Sequence, residues 1–319
     1  MTDLAIIIVS WNTRALTLDA IRTLREDLNA NGPQQSQIWV VDNDSSDDSA
    51  AAIRAEFPDV HLLESKRNLG FAGGNNLAIR EIGFGKQTPI DQLPKAVYLL
   101  NSDTRTHLGA TYTLYNTLLE IPDAGVVGAR LTYEDGSFQH SAFEFPGLKQ
   151  LWVDLFPIPA RLYHTQFFNG RYPQTFYQSY RPFRVGHTLG ATMMLRREVI
   201  QQTGMFDESY FMYAEEVDWS WRIQKAGWKI YCVPAAHVTH LEGQSTKQVK
   251  PTSILNLWKS RFLMYDRHYT IWKRFIAKRM VKAGMRFKIR DAHRAYAAKQ
   301  ISAKERDMLI EAYQQVQHL

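Results

Sequence analysis

The sequence predicts an α/β protein with a mostly parallel central sheet flanked by helices and a C-terminal helical extension. Through the first half of the chain, apolar β-branched runs alternate with stretches whose apolar residues have helical spacing. Polar clusters stand where several of the apolar runs stop, and from about Ser253 the pattern is helical and basic. Strands that alternate with helices indicate a mostly parallel sheet covered on both faces.

The first half supplies four strands and three helices. The predicted strands are "LAIIIVSW", "QIWVVDN", "VHLLES" and "AVYLLNSD", and the predicted helices are "TRALTLDAIRTLREDL", "DDSAAAIRAEF" and "GGNNLAIREI". Thr13 is a plausible N-cap of the first helix. Ligands of such sheets bind beyond the carboxyl ends of the strands, where Asn12, Asp42 and Asp103 lie.

The second half begins with an aromatic-rich segment of little periodicity, at about 132–185. Disordered segments are poor in aromatic residues, so we expect an insertion or a lid. "TLGATMMLRREVIQQTG" then predicts a strand and a helix, "EEVDWSWRIQKAGW" a helix, and "KIYCVP" a strand. These elements suggest one domain over 1–250, with halves at about 1–105 and 106–250, and a basic helical region at 251–319.

Composition limits the compartment and the partners. The single cysteine, Cys232, excludes an intrachain disulfide and lies in an apolar run typical of a core. No apolar run approaches the ~18 residues of a membrane-spanning helix. The N-terminus lacks the basic region of a signal peptide, so we expect a cytoplasmic protein, at most attached to a membrane surface. Residues 247–299 hold 15 Lys and Arg but two Asp, which indicates an anionic partner.

Two polar stretches lie at the start of predicted helices. Asp42 can accept hydrogen bonds from a ribose or a base, or it can serve in capping alone; for Ser45 and Asp47, capping is favoured. "NLGFAGGNN", residues 68–76, has glycines that would let backbone N–H groups approach a phosphate at a helix N-terminus. It matches neither the P-loop pattern nor G-x-G-x-x-G.

"NSDT", residues 101–104, raises the question of a metal ion. Asn101 and Asp103 stand two residues apart at a strand end and can direct oxygens to the same side. Mg²⁺ and Mn²⁺ bind through one or two carboxylates together with substrate phosphates. The alternative is an Asx-turn, which the tripeptide alone favours.

Acidic and histidine residues form two further candidates. Glu215, Glu216 and Asp218 crowd the start of a helical pattern, and like charges and burial would raise the pKa of a general base. The alternative is that these acidic residues are present because carboxylates stabilise the N-terminus of a helix, with Asp218 paired to Arg222 at i,i+4. In "AAHVTHLEGQST", His240 is the candidate ligand and His237 is more consistent with the core.

The order of these motifs resembles that of the family 2 glycosyltransferases, most closely the rhamnosyltransferase-like branch. "IIIVSWN", "VVDNDSSDDS", "NLGFAGGNN", "LLNSDT", the stretch from "GATMMLRR" to "EEVDWSWR", and "HLEGQS" follow one another over residues 5–245, about three quarters of the chain. The resemblance implies a GT-A fold, made of a nucleotide-sugar half and an acceptor half. It also implies inverting transfer from a nucleotide-diphosphate sugar.

The resemblance assigns roles to individual residues. It implies that the nucleotide-sugar is bound by Val9, Ser10, Asn12, Asp42, Asn68, Gly70, Gly73, Gly74, Asn75, Asn101 and Ser102. "NSD" matches the family's Asp-x-Asp with Asn101 in place of the first Asp, so Asp103 is the expected direct ligand of Mg²⁺ or Mn²⁺. His240 matches a histidine that reaches the metal and the diphosphate in some members. In "EEVDW" the expected base is Glu216, where the family has Asp, with Glu215 and Asp218 beside it.

The function implied is transfer of a sugar to a hydroxyl of a cell-surface glycan or a polyprenyl-diphosphate-linked acceptor. The donor would be a dTDP- or UDP-sugar, with rhamnose the expectation for the branch. The alternatives are an inactive sugar-nucleotide- or glycan-binding subunit, or a nucleotidyltransferase, although "VSWNTRALT" lacks a triphosphate loop. The basic tail either contacts an anionic membrane, through an apolar stripe over Leu257–Phe287, or packs on the catalytic domain. No nucleic-acid-binding motif is present.

Overall fold

The computed structural model describes residues 2–163, 165–241 and 250–319, which form two compact units. The first comprises Met1–Glu144, Tyr172–Phe211 and Glu216–Ser245. The second comprises Phe145–Arg171, Met212–Glu215 and Thr246–Leu319. The middle of the aromatic-rich segment therefore groups with the C-terminal helices, a division that differs from the predicted boundary after residue 250.

The regular elements follow the predicted alternation in the first half of the chain. The strands are β1 (Leu4–Ser10), β2 (Ser36–Asp42), β3 (His61–Glu64), β4 (Ala96–Asn101), β5 (Thr104–Thr106), β6 (Ala124–Thr132), β7 (Phe138–Gln139), β8 (Ala142–Phe143), β9 (Phe183–Val185), β10 (His187–Thr188), β11 (Thr192–Arg196) and β12 (Lys229–His240). The helices are α1 (Arg14–Asn31), α2 (Ser49–Glu56), α3 (Gly70–Ile82), α4 (Ala110–Glu120), α5 (Leu148–Leu155), α6 (Ala160–Tyr163), α7 (Gln166–Asn169), α8 (Gln174–Gln178), α9 (Arg197–Thr203), α10 (Glu215–Lys225), α11 (Lys250–His268), α12 (Ile271–Ala297) and α13 (Ala303–Gln317).

The main sheet of the first unit has the order β3-β2-β1-β4-β11-β6-β12-β5. Strands β3, β2, β1 and β4 are parallel, as predicted. Strand β11 is antiparallel to both of its neighbours, and β5 is antiparallel to β12. The sheet is therefore parallel from β3 to β4 and mixed beyond β4. The sequence pattern did not predict this change, because hydrophobic periodicity marks a strand but not its direction.

Strand β1 is buried on both faces, as expected of a central parallel strand. Ile6 and Ile8 pack into the same apolar cluster as Leu24 of α1. Ile7 points to the other face, into the cluster that contains Ile79 of α3. Alternate side chains of β1 thus pack against helices on opposite faces of the sheet. The carboxyl end of β1 remains available for polar residues.

The second unit consists mainly of helices α5 and α11–α13. Gly284 of α12 lies so close to α5 that a Cβ there would come within 2.6 Å of the Leu155 side chain. The apolar stripe predicted over Leu257–Phe287 is divided between two helices, because α11 ends at His268 and α12 begins at Ile271. In the part of the chain that the structure describes, no helix combines the length and apolarity needed to span a bilayer.

Candidate active site

The sheet register collects the predicted strand-end residues along one edge. Ser10, the last residue of β1, pairs with Asp42 at the end of β2. On the other side of β1, Val9 pairs with Asn101 at the end of β4. The carboxyl ends of three neighbouring parallel strands therefore carry polar groups side by side, as expected of a ligand site in an open α/β sheet.

Asp42 combines a turn contact with a free acceptor. Its Oδ2 accepts a hydrogen bond from Ser45 N at 3.1 Å, which is a turn contact and not the helix cap given as its alternative role, because α2 begins only at Ser49. The other oxygen, Oδ1, is buried without a hydrogen-bond partner among the described residues. A buried carboxylate oxygen without a hydrogen-bond partner lowers the stability of the fold unless a ligand donates a hydrogen bond to it. Asp42 is thus suited to accept a hydrogen bond from a ribose or a base.

Asn12 joins the loops that follow β1 and β2. Its backbone is left-handed, with φ of 52°, and its Oδ1 accepts from Ser46 N at 2.7 Å. Its own N–H donates to Ser45 Oγ at 3.0 Å. Asp47 also links these loops, since its carboxylate accepts from the backbone N–H groups of Arg14 and Ser49 at 2.8 and 3.2 Å. These bonds fix the two loops that flank Asp42.

Hydroxyl groups fasten the ends of β1 and β4 together. Ser10 Oγ lies 3.2 Å from Thr13 Oγ1 and 2.8 Å from Thr17 Oγ1, and Thr13 Oγ1 lies 3.3 Å from Ser102 Oγ. Ser10 and Ser102 are both buried. Their side chains are therefore engaged in holding the strand ends, and Thr13 takes part in this network instead of capping α1.

Asn43 shapes the turn at 68–70. Its Nδ2 donates to Asn68 Oδ1 at 3.0 Å and to Gly70 O at 3.1 Å, and its Oδ1 accepts from Leu69 N at 2.9 Å. Gly70 has φ of +71°, and a Cβ there would lie 2.1 Å from Phe211 O, so only glycine fits. Asn43 was not among the predicted site residues, because its only sequence signal was its place beside Asp42.

The three glycines of this stretch lie inside α3, which begins at Gly70, three residues before the predicted start at Gly73. Gly74 allows close packing on β1, because a Cβ there would come within 2.8 Å of Val9 Cγ1. A Cβ at Gly73 would come within 2.9 Å of Leu69 Cβ. Asn75 is buried, and its Nδ2 donates to Phe71 O at 2.9 Å. These residues set how closely the helix approaches the strand end.

Asp103, Asn101 and His240 come together, although 137 positions separate Asp103 from His240 in the sequence. His240 Nε2 lies 3.4 Å from Asp103 Oδ1 and 3.5 Å from Asn101 Nδ2. Leu241 N also donates to Asp103 O at 2.9 Å. His240 Nδ1 faces Gln139 Oε1 at 3.3 Å, and this contact orients the imidazole with Nε2 toward Asp103. Gln139 carried no sequence signal, because only the pairing of β7 with β6 brings it here.

This cluster fits a divalent cation. When His240 Nδ1 donates to Gln139, the Nε2 lone pair faces a carboxylate oxygen 3.4 Å away, an arrangement that a positive charge between them stabilises. Asn101 Oδ1 is buried without a hydrogen-bond partner among the described residues. Among all the described residues, no three His, Cys, Asp or Glu side chains are grouped so that they could hold a metal ion. An ion here would therefore take its remaining ligands from a substrate diphosphate, as Mg²⁺ and Mn²⁺ commonly do.

The three carboxylates at the start of α10 have different environments. Asp218 is buried, and its Oδ2 accepts from Arg222 Nε at 2.9 Å, which confirms the i,i+4 ion pair predicted as its alternative role. Its Oδ1 accepts from Tyr210 OH at 3.4 Å. Glu215 is also buried, whereas Glu216 is half-buried. Of the three residues, Glu216 is the one that is not fully buried.

Glu216 lies beside the strand-end cluster. A Cβ on Gly190 would meet Glu216 Cβ and Phe71 Cζ, each at 3.7 Å. The next residue, Ala191, accepts from Asn101 N at 3.0 Å. Burial raises the pKa of Glu216 above its usual 4.5, although the backbone N–H groups of Glu216 and Val217 lower it in part. A carboxylate with a raised pKa in a partly open position is suited to general base catalysis.

The backbone before Glu216 is strained. Tyr213 and Ala214 are consecutive non-glycine residues with φ of 71° and 64°. Such conformations cost about 1–3 kcal/mol each and occur where function requires a particular backbone path. This strain supports the assignment of the following residues to a functional site.

Two other predictions concern the last motif. His237 does not join the cluster: its ring stacks on His107 at 3.8 Å between centroids, and its Nε2 lies 2.9 Å from Thr132 Oγ1. The structural role predicted for it agrees with these contacts. Glu242–Ser245, including Gly243 and Ser245, lie outside the described residues.

The sequence is similar to those of known proteins. Residues 5–204 match the Glycosyl transferase family 2 profile. An N-acetylglucosaminyl-diphospho-decaprenol L-rhamnosyltransferase of Mycobacterium tuberculosis is 31% identical over 241 residues, which are 74% of this chain and 76% of that protein. The low-salt glycan biosynthesis hexosyltransferase Agl10 of Haloferax volcanii is 25% identical over 227 residues, 70% of this chain and 62% of that protein.

Solved structures show a similar fold. A mannosyltransferase of Pyrobaculum calidifontis, in complex with GDP-Man and Mn²⁺, superposes with a TM-score of 0.54 at 16% identity over 98% of this chain and 84% of that one. GalNAc-T7 with UDP, GalNAc and Mn²⁺ gives a TM-score of 0.51 at 15% identity over 74% of this chain and 42% of that one. The predicted GT-A fold, with its helical C-terminal region, is thereby confirmed.

Proposed function

The chain belongs to glycosyl transferase family 2, and from that premise we propose that it is an inverting, divalent-metal-dependent enzyme that transfers a sugar to a lipid-linked acceptor. The observation that carries the proposal is the sheet edge at which Asp42, Asp103 and His240 lie, with Glu216 beside it. These side chains suit three parts of one reaction: the nucleotide (Asp42), the metal-bound diphosphate (Asp103 and His240) and the acceptor (Glu216).

The nucleotide side of the donor would bind at the ends of β1 and β2. Asp42 Oδ1 is available to accept a hydrogen bond from the ribose or the base. Asn12 and Asn43 hold the flanking loops in place, so this acceptor is preorganised. The expected donor is a dTDP- or UDP-sugar.

The diphosphate side would lie at Asp103. Asp103 and His240 would hold Mg²⁺ or Mn²⁺, with Asn101 as a direct or water-mediated partner and Gln139 orienting the imidazole. A bound divalent cation supplies neutralisation of the charge that develops on the leaving diphosphate. Both structural neighbours were solved with Mn²⁺, which supports this choice of ion.

Glu216 would act on the acceptor. Its carboxylate takes the proton of the acceptor hydroxyl, and the hydroxyl oxygen forms a bond to the anomeric carbon of the sugar. The bond from that carbon to the diphosphate breaks on the opposite face, and the nucleoside diphosphate leaves with the electron pair. One bond forms as one breaks, so the anomeric configuration inverts.

The names of two relatives support a choice of acceptor. The mycobacterial relative is named as a rhamnosyltransferase that acts on a decaprenyl-diphosphate-linked sugar. We therefore propose a polyprenyl-diphosphate-linked glycan as acceptor, rhamnose as the sugar, and the inner face of the cell membrane as the site of action. The other relative is named as a hexosyltransferase of glycan biosynthesis, which supports the same reaction class.

A thermal-shift panel of nucleotide sugars, with and without Mn²⁺, tests the proposal. A donor that binds the native state raises the melting temperature by mass action, so the correct sugar nucleotide should stand out and should need Mn²⁺ for its full effect. That donor is then incubated with a polyprenyl-diphosphate-linked acceptor, and the anomeric configuration of the product is determined. Binding without transfer would favour the inactive sugar-nucleotide-binding subunit, and retention of configuration would contradict the inverting mechanism.

A further inference from the structure

Helix α12 buries one face and exposes the opposite one. Ala277, Val281, Gly284 and Met285 form its buried face within the second unit. The opposite face begins with apolar side chains that are largely exposed: Ile271 (74%), Trp272 (77%), Phe275 (51%) and Ile276 (44%). Large apolar side chains clustered in water usually mark an interaction surface.

The same face continues as a row of cations. At 3.6 residues per turn, positions 271, 275, 279, 282, 286 and 290 lie along one side of the helix. The last four of these are Arg279, Lys282, Arg286 and Arg290, all exposed. The ion pairs of this helix with Asp266 use Arg274 and Lys278 instead. Within the described residues, the four cations have no carboxylate partner.

We propose that this face of α12 docks on an anionic phospholipid surface. It consists of an apolar tip (Ile271, Trp272, Phe275 and Ile276) and a cation row (Arg279, Lys282, Arg286 and Arg290). The inference goes beyond the proposed sugar transfer and does not need that reaction to be correct. Helices that lie in a membrane interface bury apolar side chains at the headgroup boundary and hold Lys and Arg against anionic lipids. Tryptophan is enriched at that depth, in agreement with the exposure of Trp272.

Other occupants fit less well. A second copy of the chain paired in parallel about a two-fold axis would bring its cation row against an identical row, and antiparallel pairing over the whole face would set each apolar tip against the other copy's cations. A nucleic acid would neutralise the cations but would leave the apolar tip without a partner. An anionic bilayer satisfies both parts of the face, since it offers negative headgroups and an apolar layer beneath them.

Vesicle sedimentation of the full chain tests the docking. The chain is mixed with vesicles of phosphatidylcholine alone or of phosphatidylcholine with phosphatidylglycerol, without donor or divalent ion. We expect binding to the phosphatidylglycerol vesicles and a loss of binding as salt increases, because ions screen the attraction. Equal binding to both vesicle types, or binding to neither, would overturn the proposal.

Matched variants separate the two parts of the face. Ile271→Asp with Phe275→Asp should weaken vesicle binding at least about tenfold, whereas Leu108→Asp, at a residue 71% exposed in the first unit, should not change it. Lys282→Gln with Arg286→Gln should weaken binding about tenfold, and the equally charged control Lys225→Gln with Lys304→Gln should not. Circular dichroism melting checks that each variant folds.

Light scattering provides the remaining outcome. If Ile271→Asp with Phe275→Asp changes the oligomeric state but leaves vesicle binding unchanged, the face is a contact between copies and the proposal is wrong. Because vesicle binding requires neither donor nor metal, a failed transfer assay would count against the proposed function and leave this result intact.

Discussion

The strand ends and the start of α10 present polar groups in different ways. At the strand ends, Asp42 is the last residue of β2 and Asn101 the last residue of β4, with Asp103 two residues later, and the parallel register of both strands with β1 places these ends side by side. At α10, Glu215, Glu216 and Asp218 are within one helical turn, yet Asp218 is ion-paired and Glu216 is not buried to the same degree. The sheet therefore brings residues that are distant in sequence close together in space, whereas the helix places residues that are adjacent in sequence in different environments.

Glu216→Gln is the sharpest way to test this contrast. The amide retains the shape of the side chain but accepts no proton, so we expect kcat to fall about 10³-fold, the scale of lost general base catalysis. Donor binding, measured by thermal shift with Mn²⁺, should stay near that of the wild type. Asp218→Asn is the matched control, because it removes a carboxylate two residues away; a comparable loss of kcat there would contradict the assignment of Glu216.

Asp218→Ala should act on stability. It leaves the guanidinium of Arg222 without its carboxylate, although hydrogen bonds to Thr203 O at 2.5 Å and Met205 O at 2.9 Å remain. We expect the free energy of unfolding, measured in urea, to fall by about 2–3 kcal/mol, toward the lower end for a broken buried ion pair. Asp59→Ala is the control, because Asp59 pairs with Arg25 at the surface and should cost less than about 1 kcal/mol. Equal losses would mean that burial of Asp218 adds nothing.

The raised pKa of Glu216 predicts two opposite pH effects. Because the base works as a carboxylate, kcat/KM should rise with pH, with an acid limb above pH 4.5 and about a tenfold change per pH unit below the folded pKa. Between 4.5 and the raised pKa the folded state binds more protons than the unfolded state, so this group lowers stability as pH rises. Glu216→Gln removes that effect and should melt higher than the wild type at pH 8, with a smaller difference near pH 4.5. An acid limb at or below 4.5 would contradict the raised pKa.

The two regions also differ in how far the sequence predicted them. Apolar runs ending in Asp42 and Asp103 gave the strands and their polar ends correctly, since a strand end is a local feature. The orientation of His240 by Gln139 depends on the pairing of β7 with β6, which no local pattern encodes. The three carboxylates of α10 were recognised as a group, but only their packing separates the ion-paired Asp218 from Glu216. The antiparallel direction of the strands beyond β4 was not predicted either, because strand direction also depends on tertiary pairing and not on a local pattern.

Asn101→Asp tests whether the end of β4 faces the divalent cation. It would place a second carboxylate at the position where the family's Asp-x-Asp has its first, near Asp103 and His240. Added ligand charge strengthens binding of divalent cations, so we expect the Mn²⁺ midpoint for thermal stabilisation, with donor nucleotide present, to fall about tenfold. Without metal, repulsion between the two carboxylates should lower the melting temperature, because like charges at this distance disfavour each other. The exposed Asn29→Asp is the control for charge alone. If both variants respond to Mn²⁺ as the wild type does, then Asn101 does not face the ion, and the divalent site would rest on Asp103 and His240 alone.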